Sequence, residues 1–162
     1  MTNYFDNVGL MVDCSRNAVM SVDTVKKLLD LMQIMGYNSL QLYTEETYEV
    51  ENEPYFGYKR GRYSIKEFQE LDSYAKNKGI KLIPCIQTLA HLNCIFRWPV
   101  YYNINDLSDV LLIDEPKTYE LIDHMMASLR KGFTSDIIHI GMDEAWLVGQ
   151  GAYYLNHGAF NR

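Results

Sequence analysis

Apolar residues recur along this chain with two different periods, and the switches between them divide it into short strands and longer helices. Gly9-Leu10-Met11-Val12-Asp13 is a brief extended run. Ser21 then offers an N-cap, and Val25, Leu28, Leu29, Met32 and Met35 share one face of a helix that stops at Gly36. Ser39-Leu40-Gln41-Leu42-Tyr43 reads as a second strand, followed by a long polar and aromatic loop over 44–63. Ser64 and Glu67 have the spacing of a capping box, opening a helix that turns Phe68, Leu71 and Ala75 inward and ends at Gly79. A third strand is predicted over 80–86. After a further loop, Pro116 suits the first turn of a helix carrying Leu121, Ile122, Met125, Met126 and Leu129, with Gly132 as its end. A fourth strand is predicted over 137–142.

Short apolar strands alternating with amphipathic helices predict a parallel sheet joined by right-handed crossovers. Two α/β architectures satisfy that pattern, a doubly wound sheet and a (β/α)8 TIM barrel. The doubly wound form favours a glycine-rich turn after the first strand, and here that turn is Cys14-Ser15-Arg16-Asn17. Chemically active residues instead follow every strand: Asp13 and Arg16, then Glu45 and Glu46, then His91, then Asp143 and Glu144. Barrels gather their catalytic groups at the C-terminal ends of several strands in this way. A complete barrel takes about 250 residues. The 162 residues here are expected to form a single unit over 1–162, the N-terminal half of such a barrel with about four βα units.

Composition narrows the function. The chain is 48% hydrophobic and 22% charged, with a net charge of −6, and its densest basic stretch is Lys59-Arg60-Gly61-Arg62 within a loop, which argues against a nucleic-acid partner. The first residues lack a basic region leading into an apolar run, and no stretch is long and apolar enough to span a bilayer. Neither a signal peptide nor a membrane partner is therefore expected, and a cytoplasmic location is favoured. Thirteen tyrosines combine an apolar ring with a hydroxyl, a mixture that suits both sugar clefts and boundary packing, with boundary packing expected for most. Cys14, Cys85 and Cys94 are odd in number, without knuckle spacing, and read as reduced, buried thiols. His91, His124, His139 and His157 show no metal-ligand spacing, so no metal or other cofactor is expected.

The most informative stretch is Ile138-His139-Ile140-Gly141-Met142-Asp143-Glu144-Ala145-Trp146-Leu147. Two adjacent carboxylates would be costly in a core, but at the open end of a strand they can be polarised for acid–base work. Successive strand residues point to opposite faces, so both acids can face one mouth only if the backbone leaves β geometry at 142–144. His139, on the body of the strand, is expected to be packed in the core.

Three segments carry a family resemblance: Val12-Asp13-Cys14-Ser15-Arg16, Gln87-Thr88-Leu89-Ala90-His91 and His139-Ile140-Gly141-Met142-Asp143-Glu144-Ala145. Their order and strand-end placement resemble glycoside hydrolase family 20, the exo-acting β-N-acetylhexosaminidases, and in particular a bacterial branch with methionine in place of the second glycine of His-Ile-Gly-Gly-Asp-Glu. The resemblance implies hydrolysis of terminal, non-reducing β-linked GlcNAc or GalNAc from a glycan or glycoside by a substrate-assisted, retaining route. Glu144 would be general acid and then base, and Asp143 would orient the substrate's 2-acetamido group. Arg16 would bind sugar hydroxyls, with a surface salt bridge as its plainer reading, and His91 would tune Glu144 or be merely structural. Glu45 or Glu46 would complete the carboxylate network, or stand exposed. Trp146 would wall the cleft or pack under the next loop. In the family, later strands bring the tryptophans and tyrosine that enclose the sugar. The isolated chain is accordingly expected to be weakly active or inactive, and its open sheet edges to favour a homodimer. The alternatives are a non-catalytic carbohydrate-binding half-barrel and an unrelated α/β protein whose Asp-Glu pair is structural.

Overall fold

Three parallel strands form the centre of the structure, a computed structural model that describes residues 5–159. Strands β1 (Gly9–Asp13), β2 (Ser39–Tyr43) and β3 (Lys81–Cys85) lie side by side in chain order, with Leu10, Leu40 and Leu82 in register and Asp13, Tyr43 and Cys85 level at the C-terminal ends. This consecutive order lacks the reversal on which a doubly wound sheet depends.

Alternation sorts the strand residues into two faces. Leu40, Leu42 and Leu82 belong to the core beneath the helices, and Leu10 and Val12 pack against it. Met11, Gln41 and Ile83 occupy the opposite face, where Met11 is exposed.

Helices α1 (Val22–Met35), α2 (Ile65–Asn77) and α3 (Pro116–Gly132) form where the apolar periodicity places them. The Ser21 side chain accepts from the Thr24 N–H, Ser64 and Glu67 complete a reciprocal capping box, and Pro116 occupies the first turn of α3. Their inward residues are Val25, Leu29 and Met32, then Phe68, Leu71 and Ala75, then Leu121, Met125 and Leu129. Met35, expected on the inner face of α1, is exposed at the last turn. No helix among the described residues is long and apolar enough to cross a membrane.

The segment 44–63 departs most from its polar appearance. Residues 44–48 are buried without a break, Tyr48 and Tyr63 form an isolated bridge, and Tyr48, Phe56 and Tyr63 join the core. Tyr48 meets Phe56 edge to face at 5.2 Å, and Tyr63 lies 5.1 Å from Phe68. Boundary packing is thus the wrong reading for Tyr43, Tyr48, Tyr63 and Tyr101, all of them buried. Interior hydroxyls are tolerated where they find acceptors: Tyr63 donates to the Met20 carbonyl at 2.6 Å and Tyr101 to Glu53 at 3.0 Å.

The expected fourth strand is corrected. Segment 137–142 joins the sheet through a single bridge, His139 beside Cys85, made by the Ile86 N–H to the His139 carbonyl at 3.0 Å and the His139 N–H to the Pro84 carbonyl at 2.9 Å. No strand among the described residues pairs with its other edge, and left-handed backbone at Gly141 and Met142 stops the ladder. Ile137, Ile138, Ile140 and Met142 remain between 38% and 51% exposed, and His139 is exposed rather than packed in the core. The parallel sheet therefore holds three paired strands and one bridged segment in place of four regular strands. Short elements escaped the sequence periodicity: the hairpin of β4 (Asn105–Leu107) and β5 (Val110–Leu111), and helix α4 (Ala152–His157).

Candidate active site

The C-terminal ends of β1, β2 and β3 and the end of the bridged segment converge. Each delivers the residues that follow it: Asp13 to Arg16, Tyr43 to Glu46, Gln87 to His91, and Asp143 with Glu144.

At the acid pair the backbone leaves β geometry as the alternation argument requires, with φ of 79° at Met142 and 52° at Glu144. Asp143 Oδ1 accepts a 2.7 Å hydrogen bond from Gln87 Nε2. The opposite end of that amide is also engaged, since the Met142 N–H donates to Gln87 Oε1 at 3.1 Å. Gln87 is completely buried, whereas the two acidic side chains are 57% and 64% exposed. Gly141 makes this approach possible. A Cβ there would lie 2.2 Å from Gln87 Oε1 and 2.6 Å from the Ile86 carbonyl, and its φ is +76°.

His91, itself in left-handed backbone, donates its N–H to Asp109 Oδ2 at 3.0 Å. Its ring Nε2 is buried and stands between the acids, 3.6 Å from Asp143 Oδ2 and 3.5 Å from Glu144 Oε2. The Gln87 donor holds the Asp143 carboxyl below the usual aspartate value of 3.8, against a smaller opposing effect of burial and with further help from His91 and His139. Asp143 is thus ionised at neutral pH.

Beside the pair lies a second carboxylate cluster. Glu45 and Glu46 are both buried, which overturns the exposed-glutamate alternative. Glu45 accepts from Ser15 Oγ at 2.6 Å and Tyr43 Oη at 3.0 Å, and Arg16 approaches it at 3.5 Å. Glu46 turns away to Arg60, whose Nε lies 2.6 Å from it while Nη2 donates to the Ser15 carbonyl at 2.5 Å. The fork between the two glutamates therefore resolves by neighbour, with Glu45 toward the mouth and Glu46 neutralised. Arg60 was hidden in the sequence inside an apparently solvated basic loop.

Arg16 pairs with Asp13 at 2.9 Å and lies over the Tyr43 ring at 5.3 Å. Burial pulls the Asp13 carboxyl upward, but the Arg16 and Ser15 backbone N–H groups and the Arg16 guanidinium outweigh it, leaving the group below 3.8. Burial pushes the Tyr43 phenol upward.

Arg16, Glu45 and His91 line a cavity of about 320 Å³ together with Asn93, Ser108 and Asp109. The last two come from the β4–β5 hairpin, and Asn93 from the loop before it. No spacing in the sequence marked them, because that hairpin is too short to leave a period. Asp106 on β4 is buried and accepts from the Gly149 N–H at 2.6 Å and the Tyr153 N–H at 2.8 Å, fastening the segment that follows the acids. Trp146 is 71% exposed and so is not packed beneath that segment. Among the described residues, no group of three histidine, cysteine, aspartate or glutamate side chains is placed to hold a metal.

The chain is similar to known proteins. A family profile described as glycosyl hydrolase family 20, catalytic domain, matches residues 5–157. The chain is 29% identical over 162 residues to a beta-hexosaminidase of Emericella nidulans, covering 84% of this chain and 27% of that protein. It is 29% identical over 136 residues to a beta-hexosaminidase of Vibrio furnissii, covering 74% and 21%. The chain thus spans about a quarter of the length of these curated relatives. Among solved structures, a Flavobacterium johnsoniae chitobiase superposes with a TM-score of 0.79 at 25% identity, covering 89% of this chain and 24% of that one. A mutant Streptomyces plicatus beta-hexosaminidase in complex with the product GlcNAc shares the fold, with a TM-score of 0.77 at 22% identity over 88% of this chain and 33% of the other.

Proposed function

The chain belongs to glycosyl hydrolase family 20, and from that premise we propose that it carries the acid–base part of a β-N-acetylhexosaminidase site on the first strands of a (β/α)8 barrel. The observation that carries this reading is the pair of acids at the end of the bridged segment, one pinned as an acceptor by Gln87 and both flanked by the His91 ring.

Glu144 gives its proton to the glycosidic oxygen as the bond to the anomeric carbon breaks, and the aglycone leaves as an alcohol. The electrons for the new bond come from the substrate's 2-acetamido carbonyl oxygen, which closes an oxazolinium ring. Ionised Asp143 accepts from the acetamido N–H and offsets the positive charge that develops there. Water then opens the ring from the face the aglycone vacated, Glu144 takes its proton, and the configuration is retained. Arg16 and Glu45, on the wall of the cavity, offer donors and acceptors to sugar hydroxyls.

Hydrolysis of a chromogenic β-GlcNAc glycoside tests the reading, with the matching β-glucoside as control. Turnover confined to the acetamido sugar and abolished by Glu144→Gln is the expected result. Equal turnover of the glucoside, or an active Glu144→Gln chain, would sink it. The rate is expected to be low, because the acids are more than half exposed and enclosure and orientation supply many powers of ten in such reactions. Exposed Met11, Ile137, Ile140 and Met142 on and beside the sheet support a second copy of the chain as partner, and a monodisperse monomer in light scattering at micromolar concentration would exclude it.

A further inference from the structure

We propose that Gln87 is the positioning residue that breaks the symmetry of the acid pair, locking Asp143 as a hydrogen-bond acceptor and leaving Glu144 as the carrier of the proton. The role it serves rests on the hexosaminidase reading; the geometry does not.

Two neighbours fix which end of the Gln87 amide faces Asp143. A backbone N–H can only donate, so the atom 3.1 Å from the Met142 nitrogen has to be the amide oxygen. Tyr43 supplies an independent constraint. Its single hydroxyl proton goes to Glu45 Oε1 at 3.0 Å, so it presents a lone pair to the Gln87 nitrogen 3.0 Å away. Both constraints turn the NH2 group toward Asp143, and that group has two protons, one for Tyr43 and one for Asp143 Oδ1 at 2.7 Å. A donor aimed from a completely buried side chain favours the ionised form of its partner.

Glu144 receives no such donor from Gln87; its near polar neighbour is His91 Nε2 at 3.5 Å. The groups that face Asp143 are therefore Gln87 and Cys85 from β3 and its extension, His91 from the following loop, and His139 and Glu144 from its own segment. Of these only Gln87 is both within hydrogen-bond distance and fixed at each of its polar atoms. The bonds continue from Tyr43 through Glu45 and Ser15 toward Glu46 and Arg60, so the amide's orientation is tied to a buried network rather than to solvent.

Gln87→Glu changes one group without changing shape. It retains an acceptor for the Met142 N–H, removes the donor to Asp143 and sets a second carboxylate beside it. Gln87→Met removes the donor without adding charge. Carbon-detected NMR titration of the aspartate carboxyls in the 162-residue chain reads the result directly. The expected shift for Asp143 is upward by at least about one pKa unit in Gln87→Glu, a tenfold gain in proton affinity, and back toward the ordinary value in Gln87→Met. In the unsubstituted chain, the Gln87 side-chain amide protons are expected to titrate with Asp143. This measurement decides the matter if the variants fail to fold. An Asp143 titration unmoved in folded variants, or Gln87 amide protons that ignore it, overturns the proposal.

Kinetics form a separate arm. Gln87→Glu is expected to lower kcat by about tenfold or more and to move the acid limb of its pH profile upward, with a smaller effect on KM. Turnover of the β-glucoside at the rate of the β-GlcNAc glycoside counts against the hexosaminidase reading, while the NMR titration needs no turnover and still decides the role of Gln87.

Discussion

Replacing Gly141 with alanine puts one methyl group into the tightest point of the site, and its cost can be worked from two separable parts. The first is conformational: at φ +76° an L side chain costs about 1 kcal/mol or slightly more. The second is steric. The new Cβ would lie 2.6 Å from the Ile86 carbonyl, a backbone atom no rotamer can move, and 2.2 Å from Gln87 Oε1. Relief requires segment 139–144 to shift, forfeiting the Met142 bond to Gln87 and the Gly141 bond to His139 Nδ1, each worth about 1 kcal/mol net. The sum is about 3 kcal/mol. Gly36→Ala is the control, because that residue has φ +81° with nothing within 4 Å of its Cβ position, so only the conformational part of about 1 kcal/mol applies. Urea denaturation of both variants, with hydrogen exchange at the Met142 amide, separates the two. Equal destabilisation within about 0.5 kcal/mol, together with an unchanged Met142 amide, would refute the steric argument.

Arg60→Ala leaves the fully buried Glu46 without its cation and is expected to cost about 3 kcal/mol in urea denaturation, whereas a loss below about 0.5 kcal/mol would mean the pair behaves as an exposed one. Asp13 and Asp143 both have folded values below their unfolded value of 3.8, so their stabilisation is complete above that value and is lost as pH falls through the lower folded values. Thermal unfolding between about pH 2 and 5 should therefore show an acid limb that Asp13→Asn and Asp143→Asn each flatten; unchanged limbs would contradict the assignment. Burial raises all three thiols, Cys85 to about 12, but Cys14 and Cys85 are shut away while Cys94 is only half-buried, so at mildly alkaline pH a thiol reagent should label Cys94 ahead of the other two in the native chain. All three thiols should react in guanidinium, and rapid labelling of Cys14 or Cys85 beforehand would show those sites open.

The elements read correctly from the chain are those whose signal is local. Ser21, the Ser64 and Glu67 box and Pro116 mark helix starts through contacts within one turn, and the helical apolar period selects Leu29, Leu71 and Leu121 without reference to any distant residue. The expectation for 142–144 succeeded for the same reason, since two adjacent acids cannot both face one mouth on a regular strand. The errors fall where a partner decides. Segment 137–142 has the composition of a strand, yet a strand exists only through its neighbours, and a single bridge to Cys85 is what this one has. Loop 44–63 looked solvated because its acids and tyrosines are polar by type. Their burial depends on Ser15 and Met20 arriving from elsewhere and on Arg60 folding back from the far part of the same loop.

By itself the sequence determined the strand–helix alternation of the first three units, the capped helices and the break from β geometry at the Asp143-Glu144 pair, because each is set by spacing over a few residues. Only the tertiary structure decided which glutamate faces the mouth, which side chain pins Asp143, and that Asp109 and Asn93 belong to the cavity wall. Those outcomes depend on contacts between segments some thirty or more positions apart, such as Ser15 with Glu45 and Gln87 with Asp143, and hydrogen-bond direction at such contacts has no linear period to read.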